Sequence, residues 1–221
     1  MTTSSIDRTA CDDGFARLKE SVVDHYETAL RAHGPTARGM DWKDEESQRL
    51  RFAVLSGCFD LNGKSVHEVG AGAGHLYDVL QAEGFRADYS GSDLSADMVQ
   101  AARRGHPGVT FHCWDILAEP DLPTFDVVVC SGLFHVKLGH TESAWWEFVY
   151  DMVRQMYRMC RVGIAFNMIS DDVDFRATNL FYSNPGTVVD FCRRELSRFV
   201  ALRHDYPLYE YTVSVYREAR H

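Results

Sequence analysis

The chain is short of what would mark a disulfide scaffold, a metal ribbon, a membrane span or a nucleic-acid binder. Only 6 of its 221 residues are cysteine (Cys11, Cys58, Cys113, Cys130, Cys160 and Cys192), and none forms a C-x-x-C pair. Neither a zinc ribbon nor a disulfide framework is therefore expected, and no metal is assigned. Scattered thiols suit a reducing cytoplasm. No apolar run approaches the roughly 20 residues that cross a bilayer. The opening MTTSSIDRTACDDG has no apolar stretch behind a basic start, so neither a membrane segment nor a signal peptide is expected. Basic charge is in deficit: 23 Lys and Arg stand against 32 Asp and Glu, a formal net charge of −9. That balance argues against nucleic acid or an anionic membrane as partner. Repeats and low-complexity tracts are missing too, and the only expected tail is the first dozen residues.

What remains, 45% hydrophobic and 25% charged residues, is the composition of one globular domain with a sizeable core. Phe15, Leu18, Val22, Val23, Tyr26, Ala29 and Leu30 recur at helical spacing from Gly14 to Ala32, and His33-Gly34-Pro35 supplies a stop. A second helix is expected from Glu45 to Phe59. Then short runs rich in β-branched and aromatic residues alternate with helical patterns. Strands are expected at Ser65–Val69, Ala87–Ser92, Val109–Trp114, Phe125–Cys130 and Val162–Ile169, and helices at His75–Glu83, Ala96–Arg104 and Glu142–Met159. Alternation of this kind predicts an α/β fold with a mostly parallel sheet covered on both faces. After a helix near Pro185–Ser197, the runs Val200–His204 and Leu208–Tyr216 are separated only by Asp205-Tyr206-Pro207. So short a link cannot be a parallel crossover. Either the two runs pair antiparallel, or the second inserts antiparallel among earlier strands.

The most informative stretch is Val66-His-Glu68-Val-Gly70-Ala71-Gly72-Ala-Gly74-His75, a strand feeding three alternating glycines and then a helix. Such a loop lets a ligand lie against main-chain N–H groups near a helix N-terminus. Asp93 closes the second strand and Asp115 the third. In a parallel sheet both project, with Glu68, from the carboxyl edge where open α/β sheets bind ligands. Acids at successive strand ends are poor core residues.

From about Leu61 to Tyr216 the chain resembles the class I S-adenosylmethionine-dependent methyltransferases. Glu68-Val-Gly70-Ala71-Gly72-Ala-Gly74 resembles the family's first motif, and Gly91-Ser-Asp93-Leu94-Ser95 the acidic end of its second strand. Cys113-Trp114-Asp115-Ile116 is similar to its adenine loop, Phe125-Asp-Val-Val-Val-Cys-Ser131-Gly132 to its fourth strand, and Leu208–Tyr216 to its reversed seventh strand. The resemblance implies a Rossmann-like, doubly wound, mostly parallel seven-stranded sheet with an antiparallel C-terminal strand. Residues 1–60 would form an N-terminal helical cap, and residues 61–221 the domain that binds S-adenosyl-L-methionine. It further implies that Gly70, Gly72 and Gly74 admit the methionine part of the cofactor and that Glu68 holds its ammonium region. Asp93 would accept both ribose hydroxyls and Asp115 the adenine amino group. Trp114, Ile116, Leu94 and Met98 would flank the ring, with core packing as the competing reading of Met98 and Trp114. Ser131 and Gly132 would open toward the transferred methyl.

Methyl transfer is an in-line displacement, so the protein must chiefly position a nucleophile and exclude water. His135, just past the fourth strand, is either the base that takes the acceptor's proton or a loop-packing residue. Arg51 or Gln48 is expected to pair with the cofactor carboxylate, and Tyr26 or Trp42 to close over the donor end, with an ordinary amphipathic lid helix bearing surface charges, Arg51 among them, as the competing reading. Phe134 and Tyr182 are expected to wall an apolar acceptor site. The motif of amino-group methylation on nucleic-acid bases is missing after Val129, and Asp171-Asp172 with Asp174 reads as a solvated loop. The expected activity is methylation of an oxygen or nitrogen of a small molecule, in specialised metabolism, by a monomer or homodimer. A silent cofactor-binding subunit and an enzyme exploiting the bound sulfonium for other chemistry are the alternatives. A nicotinamide-dependent oxidoreductase is disfavoured, because G-x-G-x-x-G would need glycine where His75 stands.

Overall fold

A computed structural model describes residues 8–220 of the chain, with side chains from Gly14 onward. The expected tail thus lies mostly outside the described residues, and α1 (Arg8–His33) begins earlier than its apolar pattern suggested. A 3₁₀ turn at Arg38–Met40 leads to α2 (Glu45–Ser56), whose N-cap Asp44 accepts a hydrogen bond from the Ser47 amide at 2.8 Å. Gly57 ends that helix three residues before the expected stop.

The sheet follows. Its strands are β1 (Ser65–Val69), β2 (Asp88–Asp93), β3 (Thr110–Cys113), β4 (Phe125–Cys130), β5 (Cys160–Ser170), β6 (Tyr182–Ser183), β7 (Phe199–Arg203) and β8 (Glu210–Tyr216). The helices α3 (His75–Ala82), α4 (Ala96–Gly105), α5 (Glu142–Met159) and α6 (Pro185–Glu195) are interleaved with them. Strand order is β3-β2-β1-β4-β5-β8-β7, with two-residue β6 pairing the end of β5. The sheet therefore has the seven expected strands and one short addition. All pairings are parallel except those of β8, which runs antiparallel between β5 and β7. The two late runs do both things left open by the sequence: they pair with each other, and the second inserts.

Burial explains the pattern. Every residue of β8 is buried, as expected of a strand flanked on both edges and covered on both faces. On one face α5 contributes Trp145, Phe148, Val149 and Val153 against Phe166 and Val213. On the other, Phe52 and Leu55 of α2 join Leu76 and Leu80 of α3 and Val99 of α4. Truncating a fully buried side chain such as Trp145 would cost roughly 3–5 kcal/mol. The chain order reverses between β1 and β4, the position at which open α/β sheets form a crevice. Because β8 is reversed, its first residue, Glu210, stands at the same edge as the last residues of the parallel strands, opposite Ile169.

Candidate active site

The turn after β1 is held by its neighbours. The amides of Gly70 and Ala71 donate to the Ser92 carbonyl at 2.8 and 2.9 Å. The amide of Gly72 donates to Asp93 Oδ2 at 2.9 Å, while Asp93 Oδ1 accepts from the Ser95 amide at 2.9 Å. Asp93 thus ties the glycine loop to the start of α4. Burial pushes its pKa up, against the pull of these backbone donors. Gly72 has φ of +53°, and a Cβ there would meet Met40 Sδ at 2.6 Å, so both backbone and space demand glycine. Gly132, at φ of +77°, is likewise covered: a Cβ would lie 2.4 Å from the Trp42 ring.

Above this turn lies a cavity of about 250 Å³. Its walls include the expected Glu68, Gly70, Ala71, Gly72, Asp93 and Leu94. Met98, Trp114, Asp115, Ile116, Ser131 and Gly132 continue them, and Tyr26, Trp42, Gln48, Arg51 and His135 join from the remaining sides. Three expectations are corrected. Gly74 does not face the cavity; a Cβ there would strike Phe111 at 2.8 Å, so it serves helix–sheet packing. Phe134 is buried in the core, edge-on to Phe166 at 5.8 Å, with its carbonyl accepting from the Trp145 indole. Tyr182 turns away too, its hydroxyl accepting from the Ala177 amide at 2.8 Å beneath Arg176.

Several lining groups already have partners. Glu68 is buried and takes a hydrogen bond from the Tyr89 hydroxyl; burial pushes its pKa up to about 8, an effect the Asp93 charge reinforces. Asp115 is paired with Lys19 of α1. Ser95 donates to Glu27 at 2.8 Å, and half-buried Tyr26 has its pKa raised by burial and by Asp41 and Asp93. Helix α1 thus lies across the carboxyl edge as a cover. Gln48 is engaged with His75 Nδ1 at 3.1 Å. Arg51, expected at a cofactor carboxylate, forks onto Glu210 through Nε and Nη2 and leaves Nη1 without a partner, with the Trp42 ring 4.4 Å from its guanidinium carbon.

Glu210 was not anticipated, nor was Asn167, which donates to Glu210 Oε2 at 2.9 Å and accepts from the Gly132 amide at 2.8 Å. An acid opening a reversed strand and an amide inside the apolar run Ile164–Ile169 were the available signals. His135 is buried, and Trp42 stands edge-on to it at 5.8 Å. Its Nε2 has no hydrogen-bond partner and lies 3.8 Å from Glu210 Oε2. Burial lowers its pKa, opposed by the Glu210 charge, so the ring is neutral near pH 7 and can accept a proton. Among the described residues no cluster of three or more His, Cys, Asp or Glu is arranged to hold a metal ion. Nor is any helix long and apolar enough to cross a membrane. The five described cysteines are free thiols.

A family profile described as a methyltransferase domain matches residues 66–163. The Mycobacterium tuberculosis protein Rv1506c, whose methyltransferase name is provisional, is 35% identical over 156 residues, covering 68% of this chain and 92% of that one. Among solved structures, the fold is similar to 1,6-didemethyltoxoflavin-N1-methyltransferase of Burkholderia thailandensis, solved with that compound and S-adenosylhomocysteine. The TM-score is 0.61 at 15% identity, over 100% of this chain and 92% of that one. It is also similar to the N-methyltransferase NodS of Bradyrhizobium japonicum with S-adenosylhomocysteine, with TM-score 0.60 at 13% identity, over 88% and 97%. The chain belongs to the class I S-adenosylmethionine-dependent methyltransferases, and its cofactor is S-adenosylmethionine. The residues present fit that group chemically: a half-buried strand-end carboxylate for paired hydroxyls, apolar walls for a ring, and a loop of small residues beside them.

Proposed function

We propose that this methyltransferase acts on an oxygen or nitrogen of a small molecule, with His135 as the base that receives the acceptor's proton. The observation that carries this reading is the unpartnered Nε2 of buried, neutral His135 at the Gly132 end of the cavity. Asp93 holds the ribose hydroxyls, Glu68 faces the ammonium region, and Asp115, once released from Lys19, takes the adenine amino group. Leu94, Met98, Trp114 and Ile116 flank the ring, and Ser131 and Gly132 border the transferred methyl. Residues 1–60 act as the cap, residues 61–221 as the cofactor-binding part, and Tyr26 and Trp42 close the donor end. When bound, S-adenosylmethionine supplies an electrophilic sulfonium methyl, whose carbon–sulfur bond breaks with its electron pair left on sulfur. His135 Nε2 takes the proton lost by the acceptor, and Glu210 offsets the imidazolium charge so formed. The walls exclude water around this exchange.

The acidic charge balance supports a small acceptor over nucleic acid, as does the modest cavity volume. A cytoplasmic role in specialised metabolism, as monomer or homodimer, belongs to the same reading. The test is incubation with methyl-labelled S-adenosylmethionine and a cell extract separated by size. Label is expected in the low-mass fraction and lost in His135→Gln; label confined to protein or nucleic acid would overturn the reading.

A further inference from the structure

Among the described residues, the buried side-chain polar atoms without a hydrogen-bond partner are Arg51 Nη1, Ser131 Oγ and His135 Nε2. All three residues line the same cavity. An unsatisfied buried polar atom destabilises the fold, so their concentration at one place marks groups held ready for a ligand.

Two of them define complementary chemistry. His135 Nε2 is buried without a partner, so the neutral ring can offer it as a lone-pair acceptor. Arg51 gives Nε and Nη2 to Glu210, which leaves the Nη1 protons as donors. Both side chains stand against one carboxylate: Nη2 on Oε1, and His135 Nε2 3.8 Å from Oε2. Charge narrows the ligand further. Glu210 already matches the Arg51 charge, so a second anionic group is unwelcome beside that pair. Shape agrees, because the Trp42 ring lies over the Arg51 guanidinium at 4.4 Å and meets His135 edge-on, so planar groups flank the space beside both.

We propose that the acceptor is a small neutral, flat molecule whose O–H or N–H to be methylated is flanked, on the neighbouring atom, by an oxygen or nitrogen lone pair. His135 receives the proton-bearing group and Arg51 Nη1 binds the lone pair. The proposal rests on the small-molecule reading above and makes Arg51 a specificity-determining residue.

The test is calorimetric titration of the protein, saturated with S-adenosylhomocysteine, with catechol and with resorcinol. These isomers share composition and apolar area, but only catechol carries its second oxygen on the neighbouring atom. A hydrogen bond to a charged donor predicts catechol binding at least about tenfold tighter. That preference should collapse in Arg51→Lys, which keeps a cation against Glu210 but removes the fork. Isomers that are indistinguishable, whether both bind or neither does, would overturn the proposal, and this wild-type comparison needs no variant to fold. A preference that survives Arg51→Lys would overturn it as well. So would a tenfold loss of S-adenosylhomocysteine affinity in that variant, which would assign Nη1 to the donor's carboxylate. Methyl label found only on macromolecules would instead strike the underlying small-molecule reading.

Discussion

The amide of Gly72 donates to the carboxylate of Asp93 at 2.9 Å, joining the loop after β1 to the end of β2. One bond thereby couples the shape of the glycine loop to the acid proposed to hold the ribose. Removing the acid should therefore damage two things at once.

Asp93→Ala is expected to weaken S-adenosylhomocysteine binding by about ten- to a hundredfold, since charge-assisted bonds are the strong ones. Calorimetry reads this directly. Unchanged affinity would move the ribose elsewhere.

At Gly72 the obstacle has a name. Gly72→Ala puts a methyl 2.6 Å from Met40 Sδ at φ of +53°, so cofactor affinity and melting temperature should both fall. Met40→Ala in the same chain should recover part of the loss by removing the clash, leaving the backbone strain. If the double variant behaves like the single one, the Met40 contact is not the cause.

His135 offers a pH test. Burial disfavours its charged form, so the free base persists below the ordinary histidine value of 6.5. Turnover should stay level from neutral pH down past 6.5 and decline only at lower pH. His135→Gln should lose about 10²–10⁴-fold in turnover with cofactor affinity retained. A Gln variant as active as the wild type would leave the ring a packing role alone.

A different histidine governs stability in acid. His67 is fully buried, bonds Ser90 and Ser92 at 2.9 Å through its two ring nitrogens, and stacks on Phe125 at 4.3 Å. Burial, aided by His112, pushes its pKa down to about 3. The unfolded chain therefore takes up the proton first. The contribution is whole above about pH 6.5 and is lost as pH falls from there toward 3, by up to about 1.4 kcal/mol per pH unit. Urea melts between pH 7 and pH 4 should show a shallower loss in His67→Gln than in the wild type. Equal slopes would assign the acid sensitivity to other groups.

Much of the fold could be read from the sequence where burial is simple. The limits of β1, β4 and α5 coincide with their apolar patterns, because strands buried on both faces and a two-sided helix leave little ambiguity. Two-residue β6 offers no pattern to read, and Gly57 stops α2 before its apolar pattern runs out. At the cavity, the positions of Asp93, Gly70 and Gly72 were legible because strand ends in a parallel sheet share one edge. The partners of Arg51 and Asp115 were not: Glu210 lies 159 positions from Arg51, and Lys19 lies 96 from Asp115. Such pairs exist only once the chain has folded. Phe134 and Tyr182 show the converse error, since aromatic density does not distinguish the wall of a cavity from the core behind it.

The turn carrying Met40 and Trp42 has a kinetic corollary. With Met40 Sδ 3.3 Å from the Ala73 amide and the Trp42 ring laid on Gly132, any molecule claiming that amide must first evict a thioether belonging to the protein itself. Loading is then an exchange rather than a filling. Its observed rate should level off at high ligand concentration, at a plateau fixed by how fast this stretch peels back.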